Sequence, residues 1–195
     1  MIALIDYGAG NTASVSNILK ELNADFILTN DKEKIESADK IILPGVGEAS
    51  SAMNRISELN LIEILKSVEK PFLGICLGMQ LLCESTEEGN ASCLNIIPVV
   101  VKKFVLENLK IPHMGWNNIK TDKDEKLFAG ISDGEYFYFA HSFFVPKNEF
   151  SISVCDYGIS FSSSVRYKNF YGVQFHPEKS AEQGTQIIKN FLELC

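Results

Sequence analysis

The stretch Pro71-Phe-Leu-Gly-Ile-Cys76-Leu-Gly-Met-Gln-Leu-Leu82 predicts the centre of the fold, because it has the pattern of a strand, a sharp turn and a helix. A cysteine at such a turn adopts an unusual backbone conformation, and Gly74 and Gly78 on either side remove side chains that would clash. The following helix favours a thiolate, and the Leu77 N–H faces any oxyanion formed at the sulfur. The pattern indicates either a nucleophilic Cys76 or a buried structural cysteine.

The chain before this stretch alternates apolar runs with amphipathic segments, which predicts a parallel sheet covered by helices. The runs of strand length are Ile2–Asp6, Phe26–Thr29, Lys40–Leu43 and Pro71–Ile75. Ligands of open α/β sheets bind outside the carboxyl ends of the strands. The loops that follow these strands therefore predict a site at one edge of the sheet.

The chain after residue 95 has strand-like runs with few helical periods between them, which predicts some antiparallel pairing. These runs are Ile97–Val105, Asn117–Lys120, Glu135–Val145, Ile152–Asp156, Ser160–Tyr167 and Tyr171–Phe175. A final helix is expected from near Ser180 to the C-terminus, because Ile187, Ile188, Phe191 and Leu192 share one face. No linker or repeat divides residues 1–195, so one domain is expected.

The composition narrows the class of protein. A length of 195 residues suits one domain, and 18 Lys and Arg against 25 Asp and Glu give a net charge of −7, which argues against a nucleic-acid-binding surface. No signal peptide and no apolar run of about 20 residues is evident, so we expect a cytoplasmic protein without a membrane partner. The odd number of cysteines, with no C-x-x-C pair, argues against a disulfide framework or a zinc site. No metal or cofactor is expected.

A second chemical motif is His176-Pro-Glu178, directly after the apolar run Tyr171–Phe175. Pro177 fixes the turn, so that the Glu178 carboxylate can fold back onto one imidazole nitrogen while the other nitrogen faces outward. A Cys–His–acid relay needs this arrangement. Taken alone, the motif also fits a half-buried structural histidine beside a solvated glutamate.

A third motif, Pro44-Gly-Val-Gly47, follows the strand-like run Lys40–Leu43 and exposes backbone N–H groups. Such groups build an oxyanion hole or an anion nest, although a plain turn has the same composition. A phosphate loop is excluded, because no G-x-x-x-x-G-K-[ST] sequence is present.

These three motifs, which occur along the chain in the order Pro44–Gly47, Gly74–Gly78 and His176–Glu178, resemble those of the class I (triad) glutamine amidotransferases. The resemblance implies an α/β, three-layer, flavodoxin-like fold with a mostly parallel central sheet and added antiparallel strands in the C-terminal half. It implies hydrolysis of the glutamine side-chain amide through a thioester on Cys76, with His176 as the base and Glu178 as its orienting carboxylate.

The same resemblance assigns supporting residues. The oxyanion would be held by Leu77, Gly45, Val46 and Gly47. The substrate L-glutamine would be bound by Gly45, Gln80, Glu88, Ser142 and Phe143. One departure affects this pocket, because the family usually has a G-L-G segment where this chain has Asn90-Ala-Ser-Cys-Leu-Asn95. The loop that follows Glu88 is therefore expected to have a different shape.

The segments Ile5–Asn11, Pro112–Asn117 and Tyr138–Ser142 narrow the resemblance to stand-alone glutaminase subunits of histidine biosynthesis. In that group, the region matching Pro112–Asn117 docks on a separate (β/α)8-barrel cyclase subunit to form a heterodimer, and ammonia passes through a protected channel. The interface residues implied here are Asn11, Met114, Trp116 and Asn117. His113 and His141 have no metal-ligand spacing and default to structural or interface roles.

Three alternatives remain open from the sequence. A related amidotransferase subunit could supply ammonia to another acceptor, such as a sugar amidine pathway. A redox-sensing or binding module on the same fold would need neither the Glu178 carboxylate nor the Pro44–Gly47 segment. A cysteine hydrolase or protease would use the same three side chains on a different substrate.

Overall fold

The computed structural model describes residues 1–8, 10–121 and 125–195. Ala9, which belongs to the Ile5–Asn11 motif, lies outside the described residues. The helices are α1 Thr12–Glu21, α2 Lys32–Ser37, α3 Ala49–Glu58, α4 Ile62–Ser67, α5 Leu77–Leu81 and α6 Ala181–Leu194. The strands are β1 Ile2–Ile5, β2 Phe26–Thr29, β3 Lys40–Gly45, β4 Phe72–Cys76, β5 Cys83–Thr86, β6 Ala91–Ser92, β7 Ile97–Lys103, β8 His113–Asn118, β9 Lys120–Thr121, β10 Tyr136–His141, β11 Phe143–Pro146, β12 Ser151–Asp156, β13 Ser160–Tyr167 and β14 Phe170–Val173.

The centre of the main sheet is a parallel block in the order β2-β1-β3-β4-β14. From β14 the sheet continues through the antiparallel strands β13, β11 and β7 to β5 and β6, and β12 pairs with both β13 and β9. A separate antiparallel ribbon is formed by β8 and β10. This topology confirms the predicted fold, with a parallel centre and antiparallel strands added in the C-terminal half.

Apolar cores on both faces of the parallel block explain why its strands are apolar runs. In β1, Ala3 and Ile5 pack with the buried faces of α2, α3 and α4, whereas Ile2 and Leu4 pack with α1 and α6. A strand buried on both faces has no polar alternation. The result is a three-layer arrangement in which β4, between β3 and β14, carries Cys76 to the carboxyl edge of the sheet.

The structure differs from the sequence-based expectation at the run Glu135–Val145. Instead of one strand, β10 ends at His141 in the β8–β10 ribbon, and β11 begins at Phe143 in the main sheet. The apolar pattern runs unbroken through both strands, so it could not mark the change of partner. The crossing residue, Ser142, lies beside the candidate site as a result.

Two other strands were predicted incompletely or not at all. The ribbon strand β8 covers His113–Asn118, which starts four residues before the expected run Asn117–Lys120. The short strand β5 was not predicted, because Glu84, Ser85 and Thr86 follow helix α5 without an apolar pattern. Among the described residues, no helix combines the length and apolar character that crossing a bilayer requires.

Candidate active site

Cys76 lies at a strained turn between β4 and α5. Its φ of +53° and ψ of −106° are unusual for a residue with a side chain, and its exposed fraction is 6%. The turn is packed so closely that a Cβ on Gly74 would lie 2.6 Å from the Gly78 carbonyl, and a Cβ on Gly78 would overlap the Leu43 carbonyl oxygen. Glycine is therefore the only residue that fits at either position.

His176 and Glu178 form a buried pair beside this cysteine. The His176 Nδ1 and the Glu178 Oε1 are 2.9 Å apart, and the two side chains are only 3% and 1% exposed. Burial lowers the pKa of His176, but the neighbouring Cys76 and Glu178 side chains outweigh this effect and raise the pKa to about 10. The imidazole is thus held in its protonated form, as a Cys–His ion pair requires.

Asn11 also contacts this pair. Its Nδ2 donates to the same Glu178 oxygen at 3.1 Å, across 167 residues of sequence. Glu178 Oε1 therefore accepts two hydrogen bonds, which fix the direction of the carboxylate. The family resemblance implied an interface role for Asn11, and nothing in the local sequence pointed to this long-range contact.

Two groups without a predicted role lie against the Cys76 sulfur. The Gln174 Nε2 is 3.6 Å from the sulfur, and the Ala140 carbonyl oxygen is 3.9 Å from it. Gln174 is fully buried, and its Oε1 accepts a hydrogen bond from the Gln80 Nε2 at 2.9 Å. The sequence did carry one signal for this contact, a glutamine inside the apolar run Tyr171–Phe175. A polar side chain buried in a strand needs a hydrogen-bond partner within the protein.

The residues predicted for the oxyanion hole lie around the same turn. Gly45, the last residue of β3, is the register partner of Cys76, and a Cβ there would lie 2.6 Å from the Gly78 nitrogen. Val46 and Gly47 follow it, with a φ of +96° at Gly47. Leu77 is the first residue of α5. The turn and the glycine segment therefore face each other across the cysteine.

A cavity of about 280 Å³ opens beside Cys76. Its lining residues are Val46, Gly47, Cys76, Leu77, Gln80, Glu88, Pro112, Met114, Ala140, His141, Ser142, Phe143, His176 and Lys179. Of the residues predicted to bind glutamine, only Gly45 is not part of this lining. The structure thus brings the other predicted pocket residues together with Cys76 and His176 around one space.

Glu88 lines the cavity just before Asn90–Asn95, the segment that departs from the family pattern. The chain here forms a short helical turn, Glu88–Asn90, followed by β6, which pairs with β5. The Glu88 Oε2 accepts a hydrogen bond from the Ala49 N–H at 2.8 Å, at the start of α3. Burial raises the pKa of the Glu88 carboxyl, although this hydrogen bond favours its charged form.

The four predicted interface residues differ in exposure and contacts. Met114 and Trp116 are 64% and 53% exposed on the β8–β10 ribbon. Asn117 donates its amide to the Asp156 carbonyl at 3.1 Å and lies 3.3 Å from the His113 ring, so its side chain is held within the chain. Asn11 is held by Glu178. The ribbon therefore presents an apolar surface directly beside the cavity.

His113 and His141 form a buried pair at the wall of the cavity, which His141 lines. The His113 Nδ1 and the His141 Nε2 are 2.9 Å apart, and the His141 Nδ1 is 2.7 Å from the Phe143 carbonyl oxygen. Burial lowers the pKa values to about 4 for His113 and about 3 for His141, so both rings are neutral near pH 7. Within the described ranges, no cluster of three or more His, Cys, Asp or Glu is arranged to hold a metal ion.

Comparison with known proteins identifies the class that this fold and site define. Residues 3–195 match the glutamine amidotransferase class-I family. The chain belongs to this family, which confirms the resemblance seen in the three motifs.

The most informative relatives carry a more particular name. The chain is 48% identical over 196 residues to the imidazole glycerol phosphate synthase subunit HisH of Bacteroides thetaiotaomicron, covering 99% of both chains. It is 46% identical over 199 residues to subunit HisH 1 of Vibrio vulnificus, covering 99% of this chain and 98% of that protein.

Solved structures share the fold at much lower identity. A glutamine amidotransferase structure superimposes with a TM-score of 0.77 at 16% identity, covering 100% of this chain and 98% of the other. A glutamine amidotransferase from Thermotoga maritima gives a TM-score of 0.65 at 21% identity, covering 98% and 82%. At these identities the likeness concerns the fold alone.

Proposed function

We propose that this chain is the glutaminase subunit of an imidazole glycerol phosphate synthase, which hydrolyses glutamine for histidine biosynthesis and passes the ammonia to a cyclase subunit. The observation that carries the proposal is the placement of Cys76 and His176 at one cavity, with Glu178 paired to the His176 ring, in a chain that matches a HisH subunit over 99% of its length. All five cysteines are free thiols, which suits the reducing cytoplasm as the place of action.

The first half of the reaction forms a thioester. The Cys76 thiolate attacks the side-chain carbonyl carbon of glutamine, and the Leu77 N–H and an N–H of the Gly45–Gly47 segment stabilise the oxyanion. Protonated His176 then gives its proton to the amide nitrogen, and the C–N bond breaks to release ammonia.

The second half returns the enzyme to its starting state. Neutral His176 removes a proton from water, the resulting hydroxide attacks the thioester carbonyl, and the C–S bond breaks to release glutamate and the Cys76 thiolate. The proton taken from water restores the imidazolium. Glu178 stabilises that cation and, with Asn11, keeps the ring in one orientation.

The charges around the cavity suit the α-carbon end of glutamine. Glu88 supplies a carboxylate for the α-ammonium group, and Lys179 supplies an ammonium for the α-carboxylate. Gln80, Ser142 and Phe143 line the same cavity and bind the side-chain amide. The substrate is thereby oriented with its amide carbon at the sulfur.

The exposed ribbon surface is the proposed docking site of the (β/α)8-barrel cyclase in a heterodimer. The Trp116 ring packs edge-on against Tyr138, with ring centroids 6.3 Å apart. The Tyr138 backbone carbonyl accepts a hydrogen bond from the His176 backbone N–H at 2.8 Å. A partner that contacts Trp116 therefore touches the strand that holds the catalytic histidine. Large aromatic side chains are typical anchors of such interfaces.

The glycine segment offers a way for the partner to control activity. Val46 lies between two glycines and is 40% exposed, so its peptide can turn its N–H toward or away from the oxyanion at modest cost. One oxyanion donor is worth about 10²–10³ in turnover. We therefore expect weak glutaminase activity in the isolated chain and strong activity in the complex.

The test is the glutaminase rate with and without the cyclase subunit from the same organism. The glutaminase rate is expected to rise about 10²–10³-fold when the partner is added. Trp116→Ala should reduce this rise, whereas Leu28→Ala, on the remote edge strand β2, should leave it unchanged. Full activity of the isolated chain, with no change on adding the cyclase, would overturn the partner-controlled scheme. Absence of glutamate production in the complex would overturn the glutaminase assignment itself.

A further inference from the structure

Gln174 is a buried amide in contact with the candidate nucleophile. It follows β14 and precedes His176 by two residues, and its backbone N–H is fixed by the Ser163 carbonyl at 2.8 Å. The side chain is 0% exposed, so its donors and acceptor must find partners within the protein. The partner on one side is the Cys76 sulfur, and the partner on the other side is Gln80.

The direction of this amide is determined by its neighbours. The Phe143 carbonyl can only accept, and the Gln80 side chain meets it at 2.9 Å, so that contact requires the Gln80 amide nitrogen. The same nitrogen donates its second hydrogen to Gln174 at 2.9 Å, which requires the Gln174 oxygen there. The Gln174 NH2 group is therefore the end that faces the sulfur.

The Phe143 carbonyl also accepts from the histidine pair, whose contacts can all be satisfied at the same time. The contact of His141 Nδ1 with that carbonyl requires a protonated Nδ1, which leaves Nε2 to accept from His113 Nδ1. The remaining His113 nitrogen then accepts from the Asn117 amide. Every hydrogen bond in this network, from Gln174 to Asn117, has one donor and one acceptor. The orientations assigned to the side-chain amides therefore agree with one another.

The Cys76 sulfur thus lies between a group that accepts and a group that donates. A thiol donates to the Ala140 carbonyl oxygen at 3.9 Å, whereas a thiolate is repelled by that oxygen and accepts from the Gln174 Nε2 at 3.6 Å. A hydrogen bond to an ionised acceptor is about twice as strong as one to a neutral acceptor. Deprotonation of Cys76 therefore weakens the contact of the sulfur with the Ala140 carbonyl and strengthens its hydrogen bond from Gln174.

We propose that Gln174 is a positioning residue, whose amide N–H stabilises the Cys76 thiolate and aims it at the substrate carbon. The proposal rests on the glutaminase function given above. Gln174 is uncharged and remains an amide throughout, so it adds no competitor to His176 in proton transfer. Its effect is on the fraction of thiolate and on the direction of the sulfur.

The test measures the alkylation of Cys76 by iodoacetamide between pH 5 and 10, followed by mass spectrometry of the Cys76 peptide. Gln174→Met removes the donor at similar volume, and Gln174→Glu keeps the acceptor for Gln80 while replacing the NH2 group with oxygen. We expect the midpoint of the alkylation profile to rise by about one pH unit in Gln174→Met, which lowers the alkylation rate about tenfold at pH values below the wild-type midpoint. Glutaminase kcat in the complex is expected to fall with it, while KM changes little.

Asn190→Leu is the matched control, because it removes another buried side-chain amide. Asn190 lies on α6, and its amide donates to the Leu127 and Ala129 carbonyls and not to Cys76. It is expected to lose stability and keep the wild-type alkylation midpoint. If both Gln174 variants keep the wild-type midpoint and kcat, the positioning role is wrong and Gln174 is a structural spacer.

A measurement on the wild type keeps the proposal testable should both Gln174 variants fail to fold. The side-chain amide NMR signal of Gln174, in protein labelled with 15N-glutamine, is expected to titrate with the midpoint of Cys76 alkylation. A signal that does not change with pH would overturn the proposal. Failure of the proposed function is distinguished by the wild type itself, which would then neither hydrolyse glutamine nor alkylate preferentially at Cys76.

Discussion

The Asn11 side-chain amide donates to the Glu178 carboxylate at 3.1 Å, and this contact joins the first loop of the chain to the last of the three sequence motifs. The same carboxylate oxygen lies 2.9 Å from His176 Nδ1. The imidazole is therefore oriented by two residues, one beside it in sequence and one 167 residues away. A loop expected to serve only the partner interface also supports the chemistry.

Removal of this amide is expected to slow the reaction in the complex. A hydrogen bond to a charged group contributes about 1.5–3 kcal/mol, so Asn11→Ala should lower the glutaminase kcat by about 10-fold or more. Asn17→Ala, on an exposed position of α1, is the matched control and should change nothing. An unchanged kcat in Asn11→Ala would show that Glu178 holds the ring without help.

Substitutions of the buried pair are expected to be unequal and non-additive. His176→Ala removes the proton carrier, whereas Glu178→Ala leaves an imidazole that is present but poorly oriented, so the histidine change should lower kcat/KM more. When two residues act as one unit, removing either one disables both. The fold-loss in kcat/KM of the double variant should therefore be much smaller than the product of the two single fold-losses. Steady-state kinetics of the three variants with the cyclase decide this, and multiplicative losses would argue against a shared mechanism.

Neutralising Glu88 is expected to weaken substrate binding rather than chemistry. Glu88→Gln removes the carboxylate proposed for the α-ammonium group, so KM for glutamine should rise about tenfold with kcat nearly constant. Glu87→Gln is the matched control, because the Glu87 carboxylate is held by Lys102 and the Lys103 N–H outside the cavity. A lower kcat at unchanged KM in Glu88→Gln would place this carboxylate in the chemical step.

Protein stability is expected to fall on mild acidification because of the buried histidine pair. The folded-state pKa values of about 4 for His113 and about 3 for His141 lie below the ordinary value of 6.5. Below pH 6.5 the unfolded chain therefore binds more protons than the folded one, and the free energy of unfolding falls by up to about 1.4 kcal/mol per pH unit for each histidine.

The pH window from 6.5 to 5 reports mainly on this pair. The raised pKa of His176 keeps that ring protonated in the folded chain, whereas the unfolded ring is half protonated at pH 6.5 and almost fully protonated at pH 5, so the opposing slope from His176 is smaller and fades across the window. Denaturant unfolding at several pH values measures the slope, and His141→Gln should reduce it by one histidine's share. An unfolding free energy that is flat across this window would contradict the neutral buried pair.

Much of the fold was predictable because the strands of the parallel block are buried on both faces. The expected run Phe26–Thr29 coincides with β2, and the turn at Cys76 was indicated by the glycines that its close packing requires. The passage of the chain from β10 to β11 was not predictable, since the apolar pattern continues across Ser142 while the strand changes partner.

The site was predictable only where its residues are neighbours in sequence. Glu178 is two residues from His176, so their pairing could be inferred from the turn at Pro177. The contacts of Asn11 with Glu178 and of Gln174 with Cys76 join segments 167 and 98 residues apart, and no local pattern carries that information. Sequence analysis also treated His113 and His141 separately, although β8 and β10 place them opposite each other.

The central claim is that Cys76 is the nucleophile that attacks glutamine, and labelling by 6-diazo-5-oxo-L-norleucine in the complex tests it most directly. Mass spectrometry of the intact chain and its peptides should show one adduct, on Cys76, which excess glutamine suppresses and Cys76→Ala abolishes together with glutamate formation. Cys93→Ala, at a partly exposed cysteine, should label and react as the wild type does. An adduct on Cys83, Cys93, Cys155 or Cys195, with Cys76→Ala still producing glutamate, would contradict the account.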